Sequence, residues 1–100
     1  MIEKAASQTP RMNISVLIPC YNEETTIHAC IESVLQQSRP ADQIIVVDGS
    51  STDGTGAMLR SFGNSITVLT TPRNCGNKSY AQEYGLPYVT GDILVTTDAD

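Results

Sequence analysis

Polar segments divide the apolar positions of this chain into four short, nearly continuous runs. Ile14-Ser15-Val16-Leu17-Ile18, Ile44-Ile45-Val46-Val47, Ile66-Thr67-Val68-Leu69 and Ile93-Leu94-Val95 are rich in β-branched residues, and each reads as a strand. Pro19 is expected to end the first. Continuous rather than alternating apolarity suits parallel strands covered on both faces, and the fourth run is also read as buried.

Between the first two runs, Ile27, Cys30, Ile31, Val34 and Leu35 recur at helical spacing. Thr25 or Thr26 can cap that helix, and Ser38-Arg39-Pro40 ends it, because proline lacks a donor and restricts the residue before it. A second, short helix is predicted over residues 57–62. A third, capped by Asn77 or Ser79, runs towards Tyr88, with Gly85 and Pro87 weakening its second half. Gly91-Asp92 turns into the last strand.

The order is βαβαβαβ. Short connections and unbroken apolar strands imply an α/β fold with an open, mainly parallel sheet, helices on both faces and right-handed crossovers. In such sheets ligands collect at the carboxyl ends of the strands, near the point where strand order switches. The polar clusters at residues 19–23, 48–55, 71–78 and 98–100 all fall at that edge. This coincidence is the main reason to look for a ligand site there.

Composition narrows the ligand. The chain has 100 residues, a net charge of −5 and only six Lys+Arg. That size suits one small domain, and the charge leaves no basic stripe for a nucleic-acid backbone. Single phosphates or a metal complex depend on local geometry and remain open. Three cysteines, with no CxxC pair, argue against a disulfide framework and read as small buried hydrophobes in a reducing compartment. His28 reads as a surface or half-buried helical residue. No stretch approaches a membrane span. Residues 1–12 are polar, carry Pro10, and read as a disordered leader rather than a signal peptide, so a cytosolic location is expected.

Each strand end offers chemistry. Asp48 directly follows a strand; it either starts a turn continued by Gly49 or accepts hydrogen bonds from a base or ribose. Ser51, Thr52 and Asp53 precede a helix and suit caps. The loop lacks both the GxxxxGK[ST] and the GxGxxG patterns, which lowers ATPase and nicotinamide readings. Tyr21 can stack on a base and Glu23 can hold a ribose, although Glu23 and Glu24 also suit a helix N-terminus. Lys78 can reach a diphosphate oxygen or simply be solvated, and Arg73 is a weaker candidate. Asp98 and Asp100 are one residue apart, on the same side of an extended chain. Such a pair suits Mg²⁺ or Mn²⁺, whose charge would relieve their repulsion, and that cation can hold a diphosphate. The bland alternative is a solvated turn. Asp92, before the strand, is expected at the opposite edge as a turn residue.

Three ordered segments resemble glycosyltransferase family 2: Val16-Leu17-Ile18-Pro19-Cys20-Tyr21-Asn22-Glu23-Glu24; Val46-Val47-Asp48-Gly49-Ser50-Ser51-Thr52-Asp53-Gly54-Thr55; and Gly91-Asp92-Ile93-Leu94 leading to Asp98-Ala99-Asp100. The resemblance spans about residues 13–100. It implies the GT-A fold and inverting transfer from a nucleotide-diphosphate sugar, a UDP- or GDP-sugar, to a saccharide or lipid-linked acceptor. By resemblance, Pro19, Tyr21 and Glu23 border the nucleoside, Asp48 binds the base or ribose, and Lys78 matches a lysine of polysaccharide-synthase relatives. Asp98 lies near the ribose and donor sugar, and Asp100 on the Mg²⁺ or Mn²⁺ bridging the diphosphate. Two departures stand out: Asp48-Gly49 replaces a pair of acidic residues common in relatives, and Glu83 replaces their usual asparagine.

The general base that takes the acceptor proton is expected beyond residue 100, so residues 13–100 are read as the donor-binding half of the enzyme domain. The competing readings are a nucleotide-binding module without transfer activity and a flavodoxin-like interaction domain. Four strands of a larger sheet leave an uncovered edge, so self-association is expected.

Overall fold

The computed structural model describes residues 12–37, 40–73 and 78–97, with Lys78 described by its backbone alone. The expected leader falls almost wholly outside these residues, as do Cys75, Asn77, Asp98 and Asp100.

Among the described residues four strands and three helices alternate: β1 (Ile14–Cys20), α1 (Ile27–Leu35), β2 (Gln43–Asp48), α2 (Thr55–Arg60), β3 (Thr67–Thr70), α3 (Lys78–Gly85) and β4 (Ile93–Thr96). Short 3₁₀ turns at Gly63–Ser65 and Leu86–Tyr88 follow α2 and α3. All strands are parallel, in the order β3-β2-β1-β4. The chain winds outward from β1 through β2 to β3, then returns to place β4 on the other side of β1. The switch point of this α/β sheet is therefore the β1–β4 boundary.

Side chains alternate across the pleat, so β1 and β2 feed two cores. On one face Val16, Ile18, Cys20, Ile44 and Val46 pack against Ile27, Ile31 and Val34 of α1 and Leu59 of α2. On the other, Leu17, Ile45 and Val47 meet Ala81 and Tyr84 of α3, with Leu69 and Val89 alongside. Helices thus cover both faces of the central strands, as the continuous apolar runs require.

Several local expectations are corrected. β1 does not stop at Pro19 but runs through it to Cys20. The carbonyl of Cys20 faces β2, accepting the N–H of Gly49, whereas the carbonyl of Leu17 faces β4, accepting the N–H of Thr97. By alternation Pro19 also faces β4, whose pairing reaches only Leu17–Thr96. Its missing N–H therefore falls just beyond that ladder and breaks nothing.

β4 is not buried: Ile93, Leu94 and Val95 are 39%, 38% and 44% exposed. It lies at the sheet edge, outside both packed clusters, and β3 at the other edge is likewise largely exposed.

α1 begins without a side-chain cap, because the N–H groups of Thr26 and Ile27 are taken by the carbonyl of Glu23 instead. It ends at Leu35, ahead of the predicted stop. α2 starts at Thr55, two residues before the predicted helix. α3 ends at Gly85 and passes into the 3₁₀ turn that holds Pro87, in line with the expected weakening there. Gly85 is also packed so closely that a Cβ would meet Leu17 Cδ1 at 2.7 Å and Val47 Cγ2 at 3.0 Å. His28 is exposed on α1, close to Glu32 and the ring of Phe62, as expected of a helical surface residue. Among the described residues, no helix is long and apolar enough to cross a membrane.

Candidate functional site

Parallel register sets the carboxyl ends of three strands side by side: Cys20 pairs with Asp48, and Asp48 with Thr70. Asp48 is therefore the central residue of that edge. Its side chain is only 5% exposed although it is a carboxylate. Oδ1 accepts the N–H of Ser51 at 3.0 Å and its hydroxyl at 2.5 Å. The turn role and a ligand role are thus compatible, because one carboxylate oxygen closes the turn and the other is left over among the described contacts.

The loop after β1 is fastened to the loop after β2. Asn22 adopts φ +51°, a left-handed conformation that asparagine tolerates better than most residues. Its backbone N–H donates to Ser51 Oγ at 2.9 Å. Its Oδ1 accepts the N–H of Thr52 at 2.8 Å and of Asp53 at 3.3 Å. Glu23 donates its N–H to Thr55 Oγ1 at 2.9 Å, and Glu24 Oε1 accepts the N–H of Gly54 at 2.7 Å. The loop after β3 joins this assembly: Ser50 Oγ donates to the carbonyl of Thr71 at 2.6 Å, and Thr71 N–H to the carbonyl of Asp48 at 3.0 Å.

Tyr21 is exposed, and its Cβ and Cδ1 lie 3.8 Å from the position a Cβ on Gly49 would take. The ring thus stands over the glycine next to Asp48, and Gly49 leaves space beside it. Pro19 is buried within β1, and Glu23 is half-buried where the two loops meet. Arg73 is exposed.

Burial, reinforced by the charges of Asp48, Glu23 and Asp53, pushes the Cys20 thiol up to about 12. It is a packing residue, not a nucleophile. Asp53 behaves oppositely. Desolvation works against ionisation, but the hydroxyl and N–H of Thr55 and the N–H of Glu24 together outweigh it and hold its carboxyl below the usual carboxylate range. The expected cap is thus corrected: Gly54 holds the N-cap position of α2 without a side-chain cap, and Asp53 closes an Asx turn one residue earlier.

The structure therefore brings Tyr21, Glu23 and Asp48 to one edge. The backbone of Lys78 opens α3, with its side chain outside the described residues, as are Asp98 and Asp100. Among the described residues, no three His, Cys, Asp or Glu side chains gather into a metal-holding group. Asp92 is at the far edge, accepting the N–H of Asn13 at 2.9 Å, as a turn residue should. Sequence reading missed Asn22 and under-rated Glu24, which staple the loops. The available signal for Asn22 was its tolerance of a left-handed backbone.

Comparison with known proteins agrees with this architecture. The sequence profile described as glycosyl transferase family 2 matches residues 15–100. The 4,4'-diaponeurosporenoate glycosyltransferase of Staphylococcus haemolyticus is 39% identical over 92 residues, covering 88% of this chain and 24% of its own length. The mannosyltransferase PcManGT of Pyrobaculum calidifontis, solved with GDP-Man and Mn²⁺, superimposes with a TM-score of 0.82 at 33% identity, over 92% of this chain and 28% of its own. Glucosyl-3-phosphoglycerate synthase of Mycobacterium tuberculosis, solved with Mn²⁺, UDP and glucosyl-3-phosphoglycerate, does so with 0.75 at 31%, over 99% and 36%. The chain thus spans well under half the length of each of these proteins. With the profile match covering all four strands and the fold agreeing, the chain belongs to glycosyl transferase family 2.

Proposed function

We propose that this chain supplies the donor-nucleotide and metal-binding half of a glycosyltransferase that moves a sugar from a nucleotide-diphosphate sugar to an acceptor hydroxyl. The donor half is assigned to residues 13–100. One observation carries the reading: a buried carboxylate, Asp48, ends a central strand in register with Cys20, beside the switch point of the sheet. Relatives solved with GDP-Man or UDP support it.

The residues take distinct roles. Tyr21 offers a ring for the base, and Pro19, the last residue but one of β1, borders the nucleoside. Asp48 accepts hydrogen bonds from the base or ribose, and Glu23 from the ribose. Lys78, at the start of α3, neutralises a diphosphate oxygen.

β4 runs parallel to β1, and Thr97 is still bonded to Leu17, so the chain approaches Asp98 and Asp100 heading for the edge that holds Asp48. Two carboxylates one residue apart fit a hard divalent cation, Mg²⁺ or Mn²⁺. When bound there, the cation would offset charge on the departing diphosphate. The base that takes the acceptor proton is assigned outside residues 1–100, as are the contacts to a saccharide or lipid-linked acceptor. We place the domain in the cytoplasm, where nucleotide sugars are available, with membrane attachment left to other parts of a longer protein.

Titration calorimetry with UDP and GDP, with and without Mn²⁺, tests this. The expected result is binding of one nucleotide that strengthens with Mn²⁺, weakens in Asp48→Ala, and loses its cation dependence in Asp100→Ala. Absence of nucleotide binding with Mn²⁺ present overturns it.

A further inference from the structure

We propose that Asn22 is a positioning residue that sets the spacing between Tyr21 and Asp48 and thereby tunes recognition of the nucleoside. The inference rests on the donor-site reading above and extends it to a residue that need not touch the ligand.

The geometry is a relay. Asp48 Oδ1 holds the Ser51 hydroxyl at 2.5 Å, and Ser51 Oγ in turn accepts the backbone N–H of Asn22 at 2.9 Å. From the same residue, the side-chain amide reaches the other way: Oδ1 accepts the N–H groups of Thr52 and Asp53, and Nδ2 lies 3.3 Å from Thr52 Oγ1. Asn22 therefore grips the β2 loop by both backbone and side chain. Its chain neighbours, Tyr21 and Glu23, are the residues of the loop after β1 that are assigned to the nucleoside. Since Tyr21 is exposed, packing alone does not fix where its ring stands relative to Asp48. The staple at Asn22 does.

A left-handed backbone at residue 22 is part of the device. It bends the chain between Tyr21 and Glu23 while the side-chain amide reaches the neighbouring loop. Glycine would accept that backbone but forfeit the side-chain grip; alanine would forfeit the grip and add strain. Aspartate keeps an accepting Oδ1 for both N–H groups. The three substitutions therefore separate hydrogen bonding from backbone preference.

The test compares Asn22→Gly, Asn22→Ala and Asn22→Asp with the wild-type chain by calorimetry in Mn²⁺, using UDP, GDP and inorganic pyrophosphate as probes, with thermal unfolding as the check on folding. We expect Asn22→Gly and Asn22→Ala to weaken binding of the preferred nucleoside diphosphate about tenfold, the scale of one or two neutral hydrogen bonds. Pyrophosphate affinity should stay within about twofold, because it lacks the nucleoside, and Asn22→Asp should restore most of the loss. Unchanged nucleotide affinity in Asn22→Gly overturns the proposal, and so does an equal loss for pyrophosphate, which would mean general support of the fold. If the wild-type chain binds neither nucleotide in Mn²⁺, the donor-site reading fails and this inference falls with it. That outcome is distinct from a wild type that binds and a variant that binds equally well.

Discussion

Gly85 and Leu17 are in such close approach that a Cβ on the glycine would lie 2.7 Å from Leu17 Cδ1. Helix α3 meets the sheet at this bare backbone position. Gly85→Ala should therefore cost about 1–3 kcal/mol in urea unfolding, the usual range for overpacking a core. Gly91→Ala should cost more. There the obstacles include backbone, Ser15 N at 2.8 Å and Asn13 O at 2.9 Å, which cannot swing aside as a leucine methyl can. Equal stability of Gly85→Ala and wild type would contradict this packing.

Asp53 predicts a dependence on acid. Its carboxyl is held below its ordinary value of 3.8 by hydrogen bonds from Thr55 and Glu24, so the folded state favours the ionised form. The resulting stabilisation is complete above the ordinary value and is lost as pH falls through the lowered one. Urea midpoints of wild type and Asp53→Asn, measured from pH 6 to about pH 2.5, should converge in acid. A gap that ignores pH would exclude this role.

Cys20 predicts the reverse. Burial first, then neighbouring carboxylates, raise its thiol from 9.0 to about 12. The folded state favours the neutral thiol, so this contribution is intact below 9.0 and declines as pH climbs from there towards about 12. At neutral pH the native thiol should resist iodoacetamide, and unfolding in urea should release it. Peptide mass mapping distinguishes Cys20 from the other two cysteines. Rapid native labelling of Cys20 would refute the assignment.

The exposed apolar edge at β4 predicts self-association, because an open strand edge with apolar side chains is a template for pairing. Val95→Lys should shift sedimentation towards monomer while changing stability by no more than about 0.5 kcal/mol, as for an ordinary surface site. A wild-type chain that remains monomeric at high concentration would remove the basis for this expectation.

Much of the fold is legible in the sequence, and the reasons are local. β2 is unbroken and β-branched because it is covered on both faces, and its sequence says so. β4 carries the same kind of run at a sheet edge, since composition along a strand does not record how many neighbours it has. Pro19 read as a terminator because its harmless position depends on where another strand's pairing stops. Gly85 reads correctly as the end of a helix, but its close approach to Leu17 does not show in the sequence, because that contact spans most of the chain. At the site, Asp48 and Tyr21 stood out by type and place. Asn22 did not, because an asparagine in a loop resembles many turn formers until its partners across the loop are known.

Far from the proposed donor site, Ser15 Oγ donates to Gln43 Oε1 at 2.6 Å and accepts the N–H of Gly91 at 2.9 Å, while Gln43 binds the N–H of Thr90 and the carbonyl of Tyr88. This knot ties β1, β2 and the entry to β4 together at their amino ends, so the foundation of the sheet does not rely on the loops at its opposite rim. Exchanges of rim residues are therefore expected to leave the base of the scaffold in its shape.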